Sequence, residues 1–163
     1  MLERGAGAQE MEFQLTEERD LDALGAAVRA GIRNADPRDV GRRDYQPIGL
    51  SFRASDGPIV AGVYGATMWG WLMVDGLWVA EELRGRGLGR RLMLAAEAEA
   101  IERGCHGSSL GTFDFQAREF YERLGYTVLG ALEHFPKGHT HYTLWKSLII
   151  AAGESSVRDL ASR

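Results

Sequence analysis

Leu77-Trp78-Val79-Ala80-Glu81-Glu82-Leu83-Arg84-Gly85-Arg86-Gly87-Leu88-Gly89 is the stretch on which the reading of this chain turns. Its first residues belong to an apolar run that reads as a strand. Its last residues open Leu88–Arg103, a segment rich in alanine, leucine and glutamate that reads as a helix. Three alternating glycines at a strand-to-helix junction let the backbone pass very close to a ligand. The free N–H groups of the first helical turn then point outward, with the positive end of the helix dipole behind them. The result is an anion cradle suited to phosphate. Arg84, Arg86, Arg90 and Arg91 crowd the same turn.

Working outward from the loop, three strands precede it: Ile48 to Ala54, Ile59 to Met68 and Trp71 to Val79. They are separated by the turn Ser55-Asp56-Gly57-Pro58 and by Gly70, and they lie close enough in sequence to pair antiparallel. Further upstream, Met11 to Leu15 alternates as a short strand. Thr16 is placed to cap a helix in which Leu21, Leu24, Val28 and Ile32 recur at helical spacing, up to Asn34-Ala35-Asp36-Pro37. Residues 37–46 read as a loop or short helix. In the helix after the loop, Met93, Leu94, Ala100 and Ile101 share one side, while Leu88 and Leu92 fall out of phase. Downstream, Gly104 ends that helix. A strand at Ser108 to Thr112, parallel to its predecessor, and a helix from Gln116 to Leu124 follow. Gly125 sits where a left-handed capping glycine belongs. Tyr126 to Leu132 and Thr140 to Leu148 are the final strands.

The chain as a whole sets the bounds. Its 163 residues suit one domain with a real core, expected over 11–149, between a loose start at 1–10 and a polar tail at 150–163. A net charge of −4 argues against a general nucleic-acid or membrane-surface partner, so the loop's arginines are a local feature. The single cysteine, Cys105, excludes an intrachain disulfide and fits a reducing cytoplasm. The N-terminus lacks a signal-peptide apolar core.

Three kinds of phosphate loop compete for the glycines. A Walker loop needs Gly-Lys-Ser/Thr, and neither a lysine nor a Ser/Thr follows Gly89. A Rossmann fingerprint needs G-x-G-x-x-G in a parallel unit. Gly85, Gly87 and Gly89 give G-x-G-x-G after an antiparallel meander, with no ribose-binding acid opening a following strand. The third fits. Arg84, Gly87 and Gly89 resemble the Arg/Gln-x-x-Gly-x-Gly/Ala acetyl-CoA-binding motif of the GNAT superfamily of acetyltransferases. A second segment, Phe120-Tyr121-Glu122-Arg123-Leu124-Gly125-Tyr126, is similar to the family's FYxxLGF helix end. Both motifs stand in order, and the element order matches from Phe13 to Leu148.

The resemblance implies an α/β fold: a twisted, mostly antiparallel mixed sheet with helices on both faces. It implies an enzyme that moves an acetyl group from acetyl-CoA directly to a primary amine of a small molecule or a peptide, with no metal. A GNAT-fold module that binds acyl-CoA without turnover is the alternative. The loop residues Arg84, Gly85, Arg86, Gly87, Leu88, Gly89 and Arg90 would bind the pyrophosphate. The pantetheine arm would pair with the backbone of Leu77, Trp78 and Val79, in a gap where their strand splays from the strand at Leu110. One departure concerns the position seven residues before the tyrosine, often Asn in the family and here Asp114; Gln116 is the candidate to handle the cofactor arm instead.

Roles for individual residues follow. Tyr121 is the candidate acid for the leaving thiolate, since a phenol of pKa about 10 can protonate a thiolate of about 8.5; a core aromatic is its alternative. Asp75 shares a face with Leu77 and Val79 by period two and is the candidate base or ammonium partner; an Asp75-Gly76 turn is the alternative. Tyr45 and His139 are candidate acceptor contacts, because the family's acceptor pocket comes from variable loops, here about 33–47 and 133–141. His139 and His141 share a strand face but have no third ligand at metal spacing. Dimers are common for the fold, and the final strands offer an edge.

Overall fold

A computed structural model describes residues 14–35, 44–55 and 57–149. They fall in two compact units, divided at Arg42/Arg43. In the first, helix α1 spans Leu21–Ala35. It is capped by Asp20, whose carboxylate accepts the Ala23 N–H at 2.9 Å, and not by Thr16 as the sequence suggests. Gln14 and Leu15 are irregular; the rest of the expected first strand, and most of the 37–46 segment, lie outside the described residues.

The second unit is a six-stranded sheet. Its strands are β1 (Gln46–Arg53), β2 (Ile59–Met68), β3 (Trp71–Val79), β4 (Gly107–Phe113), β5 (Thr127–Glu133) and β6 (Thr140–Ser147). The spatial order is β1-β2-β3-β4-β6-β5, and only β3 and β4 run parallel. Helix α2 (Leu88–Glu102) crosses from β3 to β4, and α3 (Arg118–Arg123) leads from β4 to β5. Both contribute to one core. Leu92, Met93, Ala96 and Ala100 of α2 pack with Ile48, Val63, Leu72, Val74, Leu110 and Leu144 of the strands and with Tyr121 of α3. Leu92, which looks out of phase in the sequence, is only 3% exposed. The buried stripe of α2 is 92, 93, 96, 97 and 100, an i, i+3/i+4 ladder one residue away from the expected face. Glu97 lies within that stripe and is neutralised by Lys146 of β6, Nζ to Oε2 at 2.6 Å.

Two irregularities of β3 shape the site. First, Tyr64 opposes Gly76 while Gly65 opposes Val74, so Asp75 is an extra, unopposed residue. A side chain at position 65 would collide with the Met73 carbonyl, so glycine there permits the bulge. The bulge also flips the strand's alternation. Leu72 and Val74 face the core before it, Leu77 and Val79 after it. Second, β3 and β4 pair only from Trp71–Gly107 to Val74–Leu110. Beyond that point Asp75–Val79 and Gly111–Phe113 run on without pairing each other, and a gap opens between them.

Candidate active site

The gap ends at the glycine loop. After Val79, the Ala80 N–H bonds back to Val60 and a single 3-10 turn covers Glu81–Leu83. Arg84 then folds its Nε onto the Val79 carbonyl at 3.2 Å, which pins the loop to the strand end. Gly85 (φ 74°) and Gly87 (φ 79°) take the left-handed conformation that favours glycine, and a Cβ at either would meet nothing within 4 Å. Gly87 is the N-cap of α2 and supplies no side chain to its first turn. The N–H groups of Leu88, Gly89 and Arg90 therefore open onto an uncovered surface. An anionic ligand has both the donors and the space there, so the loop fits a pyrophosphate. A Cβ on Gly89 would meet the Phe120 ring at 3.4 Å and Val79 at 3.7 Å, so the loop runs close to α3 and to the end of β3 at one point. Arg84, Arg86 and Arg90 are exposed beside the cradle, whereas Arg91 is drawn away, its guanidinium 4.7 Å from the Phe52 ring centre.

Along the gap, backbone direction decides which residues present polar groups. The Ala80 N–H points to β2, so by alternation Trp78 also pairs with β2, opposite Gly62. Leu77 and Val79 thus turn their N–H and C=O groups toward the gap. Of the three backbone contacts expected from the sequence, Trp78 is the one the geometry removes.

Tyr121 of α3 packs in the core with α2, 8% exposed, edge-on to Phe120 (centroids 5.1 Å) and Tyr126 (6.1 Å). Its hydroxyl bonds to no described residue, and burial raises its pKa above that of a free phenol. The turn before α3 is built by two other residues. Gln116 Oε1 accepts the Phe113 N–H at 3.1 Å and the Thr112 hydroxyl at 3.2 Å, so its oxygen is committed to the end of β4. Asp114 joins β4 to the start of β6. It takes the Thr140 N–H at 3.0 Å, contacts His139 Nδ1 at 3.0 Å, and gives its own N–H to the Thr140 carbonyl. That clip accounts for an acid at the position where the family often has Asn.

The remaining sequence candidates separate. Asp75 is exposed at the bulge where the strands part; it does not simply share a face with Leu77 and Val79, because the bulge breaks the alternation on which that expectation rests. Tyr45 is not brought to the gap. It precedes β1, an edge strand whose start is level with Thr67 and Leu72, on the paired side of the parting point. His139 is brought near, at the mouth beside Asp114. His141 opposes Phe113 in the β4–β6 register, and its ring lies over Gly111, where β4 no longer pairs with β3 and where a Cβ would sit 2.6 Å from His141 Nε2; its Nδ1 is buried without a hydrogen-bond partner. Sequence reasoning missed Phe113, Phe115 and Phe135, which gather around these histidines. The local pattern Phe113-Asp114-Phe115 is the only hint of them, since Phe135 arrives from a distant hairpin. Leu110 and Thr112 face the core, so Gly111 and Phe113 point to the sheet's reverse face. The glycine loop and the aromatic group thus flank the gap from opposite sides.

Comparisons with known proteins agree with this arrangement. Residues 16–126 match the model of the Acetyltransferase (GNAT) family. The chain is 39% identical to a blasticidin-S acetyltransferase of Streptomyces morookaense over 137 residues, covering 83% of this chain and 96% of the relative. It is 33% identical over 130 residues to an acetyltransferase of Agrobacterium fabrum, covering 80% and 94%. The crystal structure of an acetyltransferase from Bacillus cereus superimposes with a TM-score of 0.72 at 29% identity, covering 84% of this chain and 97% of that one. The cradle, the parted strands and these likenesses together place the chain in the GNAT family, as an acetyl-CoA-dependent N-acetyltransferase.

Proposed function

We propose that the acceptor is a primary amine of a small molecule and that it meets the donor where β3 and β4 part. The single observation that carries this reading is the gap after Val74–Leu110, with the glycine loop at its end and exposed polar and aromatic residues on its reverse face. Bound acetyl-CoA supplies an activated thioester. The first-turn N–H groups of Leu88, Gly89 and Arg90, with Arg84, Arg86 and Arg90 beside them, hold the pyrophosphate. The gap-facing backbone of Leu77 and Val79 aligns the arm, and an N–H there meets the charge that develops on the thioester oxygen. The Tyr121 hydroxyl, protonated and otherwise unbonded, faces the departing sulfur. Asp75 receives the acceptor's ammonium group and takes the proton it must lose. The amide nitrogen of Gln116 is the part of that side chain left for the cofactor arm.

The relative from Streptomyces morookaense is named for blasticidin-S, so that compound heads the acceptor panel. Free thiol released from acetyl-CoA, with an acetylated product of the matching mass, is the expected result with at least one small amine. Acetylation confined to peptide or protein amines would overturn the small-molecule reading. The proposal includes a cytoplasmic location, consistent with a single buried thiol and tested by cell fractionation. It also includes a dimer through β5, an edge strand exposed along its whole length, tested by sedimentation.

A further inference from the structure

Five rings from separate segments meet beside the end of β4 that has parted from β3. Phe113 and Phe115 stack nearly parallel, 5.1 Å between centroids at 8°. His141 stands edge-on to Phe113 at 4.8 Å, and His139 edge-on to Phe115 at 4.8 Å. Phe135 leans on Phe113 at 6.0 Å and on His141 at 5.8 Å. Yet Phe115 and Phe135 remain 57% and 55% exposed, and neither belongs to the hydrophobic core. Core burial does not account for their placement. Two large apolar rings stand half in water beside the parted strands and form an exposed apolar patch.

The group is also held in place. Asp114, between the two stacked phenylalanines, is bonded to Thr140 and paired with His139. His134, which delivers Phe135, sits at φ 58°, a left-handed conformation that an L residue adopts at a cost. Rings fixed in this way offer preformed flat faces and edges. Their favourable partner is another π system, which gains from stacked and edge-on contact beyond what an aliphatic chain of equal size obtains. The location sets the reach. Gly111, which His141 covers, follows Leu110 and so comes level with Asp75 across the parting strands.

We infer that Phe115 and Phe135 form a subsite for a flat aromatic or heteroaromatic group of the acceptor, carried a short linker away from its reacting amine. This rests on the reading that the acceptor approaches from the reverse face of the sheet. The two phenylalanines are specificity residues, while the chemistry belongs to the groups in the gap.

The test uses a matched pair of probes, 2-phenylethylamine and 2-cyclohexylethylamine, alike in size and amine but differing in the π system. Binding of each to the full chain saturated with CoA is measured by calorimetry, and thiol release from acetyl-CoA is measured separately. The wild-type protein is expected to prefer the aryl amine by about tenfold, within the range of a stacking contact. Phe115→Leu and Phe135→Leu should each bring that ratio toward one, with melting curves confirming that both variants are folded. Equal binding of the two amines, or a preference that survives both substitutions, overturns the subsite. Phenylalanine-dependent aryl binding without thiol release from any amine would leave the subsite standing and remove the proposed acceptor chemistry. Thiol release from other amines with no aryl preference would do the reverse.

Discussion

Gly87 and Gly104 lie at the two ends of α2 and form a natural experiment. Both are left-handed, at φ 79° and φ 83°, and at both a Cβ would meet nothing within 4 Å. Alanine at either site therefore carries the same backbone strain, about 1–2 kcal/mol, and no steric clash. Each variant should lose a few degrees of melting temperature, and by similar amounts. Ligand binding should tell them apart. At Gly87 the new methyl projects into open space at the N-terminus of α2, and the strain falls on the loop that must present the first-turn N–H groups. Hydrogen bonds to a charged group contribute about 1.5–3 kcal/mol each. Loss of one such bond weakens CoA about 10- to 100-fold, since 1.4 kcal/mol is a factor of ten. At Gly104, a full helix length away, CoA affinity should not change. The assay is calorimetric titration of CoA into both variants beside thermal melts. Equal losses of affinity in the two variants, or none at Gly87, would refute the cradle.

Other consequences follow from the same geometry. Tyr121→Phe removes a hydroxyl with no described partner, so stability should hold while turnover falls on the order of 10²-fold. Because burial raises the pKa of that phenol, it keeps its proton beyond the range of a free tyrosine, and any loss of turnover from its ionisation should begin only above about pH 10. Lys146→Ala leaves Glu97 buried without its counter-ion and should cost about 3–5 kcal/mol in denaturant melts; Lys146→Met with Glu97→Met should recover much of it. The Cys105 thiol is pushed up chiefly by burial, with Asp44 adding to the shift and Arg103 opposing it. Iodoacetamide should label it at least about tenfold more slowly in the native protein than in urea at the same pH.

What was legible in the sequence was local. The glycine loop, the β1–β3 meander and the ends of α2 are fixed by residues next to one another, and each lies where its neighbours predict. What was not legible depends on pairing across the fold. Asp75 leaves its expected face because Gly65, on another strand, admits the Met73 carbonyl and creates the bulge. Leu92 is buried because the sheet beneath α2 selects which stripe faces inward, and the helix's weak periodicity does not. β6 inserts between β4 and β5, an order that no local pattern encodes. That insertion brings His139 and His141 beside Phe113 and Phe115, so the aromatic wall exists only once the sheet is assembled. Asp114 could be seen as a departure from the family's Asn, but its partner Thr140 lies 26 positions away and gives no sign in the sequence.

The gap between β3 and β4 and the loop beyond it should act as one donor site. Backbone amide hydrogen exchange with and without CoA tests this directly. CoA should slow exchange at Leu77, Val79, Leu88, Gly89 and Arg90 together and leave the edge strand Gln46–Arg53 unaffected. Protection that spares the gap and the loop, or appears elsewhere on the sheet, would contradict it.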